Sequence, residues 1–150
     1  MQQSAALIPM DYEALARFRL ELRQFLHFSE RAAHAAGVEP QQHQLLLALK
    51  GLGGPNEQPT IGNLATWLAI QHHSAVELVD RAAARGLVRR EQHARDRRRV
   101  LVHLTAAGEA LLNELSSVHQ HELRSSAPAL LGALQRVVAA NNARVQVTPP

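Results

Sequence analysis

The period of the apolar residues changes abruptly at Gly86, and few folds accommodate such a change. Before it, Ala75, Leu78, Val79 and Ala82 fall at i, i+3, i+4 and i+7, the buried stripe of an amphipathic helix. After it, Leu87–Glu91 and Arg99–Leu104 read as extended. Val100, Val102 and Leu104 alternate there with Leu101 and His103, the two-residue period of a strand. Gln92–Arg98 between them is a polar, Arg-rich loop. The pattern predicts a helix stopped by glycine and followed at once by a hairpin with a basic tip.

The segments on either side are helical. Thr60 is placed to cap a helix over Ile61–Ile70, with Leu64, Ala65 and Leu68 on its inner face, and the polar patch Gln71–Ser74 separates it from the helix that ends at Gly86. Two short helices joined by a tight turn form a helix-turn-helix, and the hairpin after them is a wing. Upstream, Pro40 suits the first turn of a helix reaching Leu52, ahead of the loop Gly53–Asn56. Before that, Leu15, Phe18, Leu22, Phe25, Ser29, Ala32 and Ala36 mark a long amphipathic helix over Asp11–Ala36, closed by Gly37. Such a stripe at a chain end serves either its own domain or another helix, including that of a second copy. Downstream, Thr105 caps a helix to about Arg124. Ser125, Ser126 and Pro128 are expected to break it and to start a last helix carrying Leu130, Leu131, Leu134, Val137 and Val138, ended by Asn141-Asn142 before an irregular tail. The fold class is therefore mainly α with a small β-hairpin wing. A single domain over 1–150 holds a winged helix-turn-helix at 40–104 between terminal helices at 11–37 and 105–142.

Charge is concentrated in the same place. The formal net charge is only +3, yet Arg81–Arg99 holds eight arginines against Glu91 and Asp96, a surplus of six, and the rest of the chain is net acidic by three. Clustered Arg is rewarded by polyanions, because each neutralised phosphate releases condensed counterions; a solvated charge run is the plainer alternative. The chain has no cysteine, which removes disulfides, thiolate metal ligands and thiol chemistry. No stretch approaches the roughly 18 apolar residues of a membrane span, and Met1–Met10 lacks the pattern of a secretory signal, so a cytoplasmic location is expected.

From Thr60 to Leu112 the sequence resembles the MarR family of winged-helix transcription regulators. The resemblance is carried by Leu64-Ala65 and Leu68, by Leu78-Val79-Asp80-Arg81 and Gly86-Leu87-Val88, and by Asp96-Arg97-Arg98 followed by Leu104-Thr105 and Gly108, in order and at family spacing. It implies a homodimer built by the terminal helices at 11–37 and 105–142. Each subunit would lay one helix in a major groove and its wing along the minor groove of a pseudo-palindromic double-stranded operator. It further implies a repressor relieved by a small aromatic or phenolic ligand. Recognition-helix candidates are His72, His73, Ser74, Val76, Glu77 and Arg81, and wing candidates are Arg95, Asp96, Arg97 and Arg98. Arg98 matches the family's minor-groove arginine. Asp96 matches the acid that holds the wing, where a carboxylate two residues earlier is expected to fix the arginine's fork. Val76 and Glu77 depart from the hydroxyl and basic residues common in relatives, and Gln71 from the usual small cap, which bears on operator sequence.

Other chemistry finds little support. His72-His73 are adjacent and His119 and His121 are two apart, so neither pair shares a helix face as metal ligands at i, i+4 do, and no metal or cofactor is expected. No glycine-rich phosphate loop, paired carboxylates or Ser-His-acid arrangement suggests an enzyme. Phe18, Phe25, His43, Leu47 and Trp67 are candidates for a ligand cleft, with core packing the plainer role for each, and His27 and His34 lie on the first helix near them. The alternative function is a winged-helix module for protein docking or scaffolding without an operator.

Overall fold

A computed structural model describes residues 11–54 and 58–145, with side chains described to residue 139. The elements are α1 (Tyr12–Ala35), α2 (Pro40–Leu52), α3 (Ile61–Trp67), α4 (His72–Ala84), β1 (Val88–Gln92), β2 (Val100–Leu104) and α5 (Ala106–Val145). The described residues form two compact units, one within Ser29–His119 and the other of residues 11–28 with 120–145. No helix among the described residues is long and apolar enough to cross a membrane.

The Ser29–His119 unit is the winged helix-turn-helix. Its core gathers Leu45, Leu46 and Leu49 of α2, Ile61 and Leu64 of α3, and the expected stripe Ala75, Leu78, Val79 and Ala82 of α4, closed by Val88, Val102 and Leu112. Three of its helices end in one device. At the ends of α1, α3 and α4 the chain enters the left-handed region at Gly37 (φ 73°), Ala69 (φ 54°) and Gly86 (φ 71°). The following N–H of Val38, Ile70 or Leu87 reaches back to the carbonyl of Ala33, Ala65 or Ala82. This is the Schellman arrangement, which satisfies carbonyls that a helix end leaves without partners. At Ala69 a Cβ occupies the position glycine usually takes. As a result α3 stops at Trp67 instead of the expected Ile70, and Leu68–Gln71 becomes the turn of the helix-turn-helix. The polar patch expected to lie between the helices instead opens α4: Gln71 is the N-cap, without a side-chain cap bond, and His72, His73 and Ser74 form the first turn.

The hairpin pairs β1 with β2 antiparallel, Val88 opposite Leu104 and Gln92 opposite Val100. Gln92, expected in the loop, ends β1, and Leu87 and Arg99 lie just outside the strands. On the other edge of β2, Thr60 bridges Leu101, and Val102 N–H donates to the Pro59 carbonyl (3.0 Å). The hairpin is closed at its base by Thr105. Its N–H donates to the Leu87 carbonyl (3.1 Å), its hydroxyl donates to the Gly86 carbonyl, and the same oxygen accepts from Gly108 N–H (3.1 Å) as the cap of α5. A Cβ at Gly108 would lie 2.0 Å from the Leu87 carbonyl oxygen, so this closure requires glycine.

In the other unit, α1 begins with Asp11 Oδ1 accepting from Ala14 N–H (2.9 Å). The break expected at Ser125, Ser126 and Pro128 does not occur, and the helix expected to end at Asn141-Asn142 runs on: α5 is one helix of 40 residues with Pro128 inside it. The Ser125 and Ser126 hydroxyls donate to the Glu122 carbonyl at 2.8 and 3.1 Å, satisfying it from within the helix instead of redirecting the chain. Pro128 removes one amide donor at a cost of about 3 kcal/mol, and long helical flanks on both sides outweigh it.

Two substitutions test these devices. Ala69→Gly is expected to raise stability by up to about 1 kcal/mol in urea unfolding, because relief of the left-handed strain exceeds the added chain entropy. Gly108→Ala is expected to cost about 2 to 3 kcal/mol, since backbone cannot yield as a side chain does. Unchanged midpoints would contradict either assignment.

Candidate nucleic-acid interface

With Ala75, Leu78, Val79 and Ala82 turned inward, α4 presents His73, Glu77, Asp80, Arg81 and Ala84 to solvent. His72 is also exposed at the helix start, while Ser74 is half-buried. Val76 is half-buried against the core, and its carbonyl accepts from Arg90 (3.3 Å).

Seven of the eight arginines of the basic window divide by role. Arg85 is structural: it donates to Oε1 of buried Gln42 (3.1 Å) and to the Gly37 carbonyl, tying the end of α4 to the start of α2. Gln42 Oε1 also accepts from Glu39 N–H (3.4 Å). Arg90 pairs with Asp80 (2.8 Å), Arg81 with Glu39 (3.5 Å), and Arg89 with Glu91 (2.9 Å). Hydrogen bonding from Arg89, helped by the charges of His103 and Arg89, holds the Glu91 carboxyl below the usual range despite some opposing desolvation. Arg95, Arg97 and Arg98 are exposed, and their side chains make no hydrogen bond or ion pair among the described residues. The positive charge left for an external partner is thus concentrated at the wing tip.

The tip is shaped by backbone bonds. Asp96 Oδ1 accepts from the Arg98 N–H (3.0 Å), so this carboxylate fixes the chain at Arg98, not the guanidinium fork that the sequence suggested. His93 Nδ1 lies 3.3 Å from Arg95 N and 3.2 Å from Asp96 N and accepts from both. The His93 N–H and Arg99 carbonyl close the loop at 3.0 Å. Nothing in the sequence pattern singled out His93. A cleft of about 240 Å³ joins the two candidate elements. His72 of α4 and Arg98 and Arg99 of the wing line it, together with Thr60, Ile61 and Gly62. Thr60 is the expected cap, its hydroxyl accepting from Asn63 N–H (3.2 Å), but its place in this cleft was not legible in advance.

The ligand-cleft candidates are divided between the two units. Leu47 and Trp67 line one open groove, while Phe18 and Phe25 belong to the other unit. His43, for which core packing is the plainer reading of the sequence, is fully buried, with neither ring nitrogen hydrogen-bonded. Its ring lies 4.8 Å from that of His119. The Leu115 carbonyl only accepts, so His119 Nδ1 donates to it (2.6 Å), leaving Nε2 to accept from the Ser29 hydroxyl (2.8 Å). Burial, and secondly the facing His119, push the His43 pKa down from 6.5 to about 4.

Comparison with curated proteins finds no sequence match. The model of the MarR family matches residues 36–99. Among solved structures, AbsC, a MarR family transcriptional regulator from Streptomyces coelicolor, is 24% identical with a TM-score of 0.69, over 93% of this chain and 99% of its own. The MepR–DNA complex of S. aureus is 18% identical with a TM-score of 0.68, over 91% of this chain and 97% of its own. BpsR of Bordetella bronchiseptica, in a structure concerned with regulation of its DNA binding by 6-hydroxynicotinic acid, is 21% identical with a TM-score of 0.62, over 83% and 94%. These likenesses establish the fold.

Between pH 6.5 and about 4 the unfolded chain takes up a proton at residue 43 that the folded chain excludes. Its contribution is therefore complete above about pH 6.5 and lost as the pH falls, by about 3 kcal/mol at pH 4. Urea titrations of the wild type and His43→Leu across this range are expected to show a shallower acid slope in the variant. Parallel slopes would show that His43 is protonated in the folded state.

Proposed function

We propose that this chain, whose residues 36–99 are a winged helix of the MarR family, is a cytoplasmic, homodimeric transcription regulator that binds a specific double-stranded operator. The observation that carries this reading is the cleft shared by His72, Arg98 and Arg99. It sits where the start of α4 meets the wing, and its size and cationic walls suit one phosphate of a duplex whose major groove takes α4. Phosphate contacts of this kind fix register, while the exposed α4 side chains read base edges. Glu77 suits a cytosine amino group, and Arg81, one edge of which already meets Glu39, suits a guanine. The unpaired Arg98 enters an adjacent narrow, A·T-rich minor groove, where the negative potential is strongest.

A single domain over 1–150 in which the terminal helices make the dimer is supported by the apolar side chains they leave exposed. Leu20, Leu22 and Leu26 lie on α1, and Leu131, Leu134 and Val138 on α5. Such a row on a soluble chain marks an interface. Two-fold symmetry then requires half-sites about 34 to 36 Å apart, hence a pseudo-palindromic operator. We further assign it the role of a repressor relieved by a small aromatic ligand, a reading supported by the regulation of BpsR by an aromatic acid.

Selection from random duplex DNA is expected to return a pseudo-palindrome, and failure to enrich any sequence would favour a docking module. On the selected duplex, Arg98→Ala is expected to weaken binding several-fold and to reduce the slope of log affinity against log salt by about 1. If neither quantity changes, the wing does not contact the duplex.

A further inference from the structure

Arg90 stands at the middle of β1, directly opposite buried Val102 in the hairpin register. Its side chain leaves the strand and crosses to α4. There one guanidinium nitrogen, Nη2, meets the Asp80 carboxylate at 2.8 Å and donates to the Val76 carbonyl at 3.3 Å. Residues 76 and 80 are about one helical turn apart, so the two contacts grip one face of the helix along its length. Val76 packs on the core, whereas Asp80 lies on the exposed face with His73, Glu77 and Arg81. The root of the wing is tied by Thr105, just past the end of α4. Arg90 is a second tie, farther along β1 and against the body of the helix.

From this we infer that Arg90 is a positioning residue for operator recognition: by tying β1 to Val76 and Asp80 it fixes the angle between α4 and the wing, so that α4 and Arg98 reach their two grooves together. A hairpin held only at its root can swing, and docking both elements on one duplex then costs the freedom that the swing provides. A second point of attachment removes that freedom before binding. The role in recognition rests on the DNA-binding reading, whereas the brace itself does not. Exposed pairs add little to global stability, so loss of the brace frees the angle and leaves the fold.

The test replaces both partners at once, Arg90→Ala with Asp80→Ala, which leaves the net charge unaltered. In the ¹⁵N-labelled full chain, amide residual dipolar couplings of α4 and of the two strands are expected to fit one alignment tensor in the wild type. In the double variant they are expected to need two. A single tensor in the double variant would overturn the brace. On the selected duplex, the ratio of its affinity to that of an unrelated duplex is expected to fall three- to tenfold in the double variant, with the salt slope unchanged. An unchanged ratio would overturn the role in recognition. So would a slope reduced by about 1, which is the mark of an arginine that touches a phosphate itself. Asp80→Asn, whose side-chain oxygen still accepts from Arg90, is expected to keep the ratio within twofold of wild type. A loss as large as that of the double variant would show Asp80 reading the duplex directly and would overturn the positioning role. If no duplex can be selected, the DNA-binding reading fails by itself, and the dipolar couplings still decide the brace.

Discussion

Thr105 holds the ends of the wing together. Its N–H and hydroxyl take the carbonyls of Leu87 and Gly86, and its oxygen caps α5 through Gly108. One side chain thereby joins the stop of the recognition-type helix, the root of the hairpin and the start of the long C-terminal helix. Because Gly108 admits the Leu87 carbonyl at a distance no other residue allows, this junction has little room to adjust. The direction in which the wing leaves the α4 end follows from it. The loop between, from His93 to Arg99, needs only local bonds to hold its shape.

That geometry changes the meaning of the basic window. Taken as a sum, eight arginines suggest a broadly cationic face. In the folded chain Arg85 serves the α1–α2 link, while Arg81, Arg89 and Arg90 meet carboxylates. Exposed pairs of this kind contribute little to stability, but they take those arginines out of the pool of uncompensated charge. What remains open to a polyanion is narrow and lies at the wing tip, with His72 nearby across a cleft. A compact charge at the end of a rigid hairpin favours a defined contact over diffuse attraction.

The elements around Gly86 were legible because local rules and tertiary packing agree there. The stripe of α4, the glycine stop and the alternation of β2 each have one reading. The failures lie where one rule was read without its competitor. Pro128 signals a break, yet a 40-residue helix tolerates the loss of one donor. Ala69 is an ordinary helix former whose left-handed conformation is imposed by the turn to α4, so its role as a helix terminus has no signature in composition. A core role for His43 is readable from its helix, but nothing in the sequence places its ring beside that of His119. Long-range partners such as Arg85 with Gln42, 43 residues apart, have no local pattern at all.

The short segment beside β2 bears on how copies of this chain coexist at high concentration. A two-stranded hairpin has two open edges, and each is a template on which a second chain can add a strand. Along β2, Pro59 and Thr60 occupy that edge, and proline, lacking an N–H, cannot extend the ladder outward. Along β1, Arg89, Arg90 and Glu91 follow one another, so an identical strand approaching in parallel register would set like charges against each other. The wing is thereby protected from pairing with another wing.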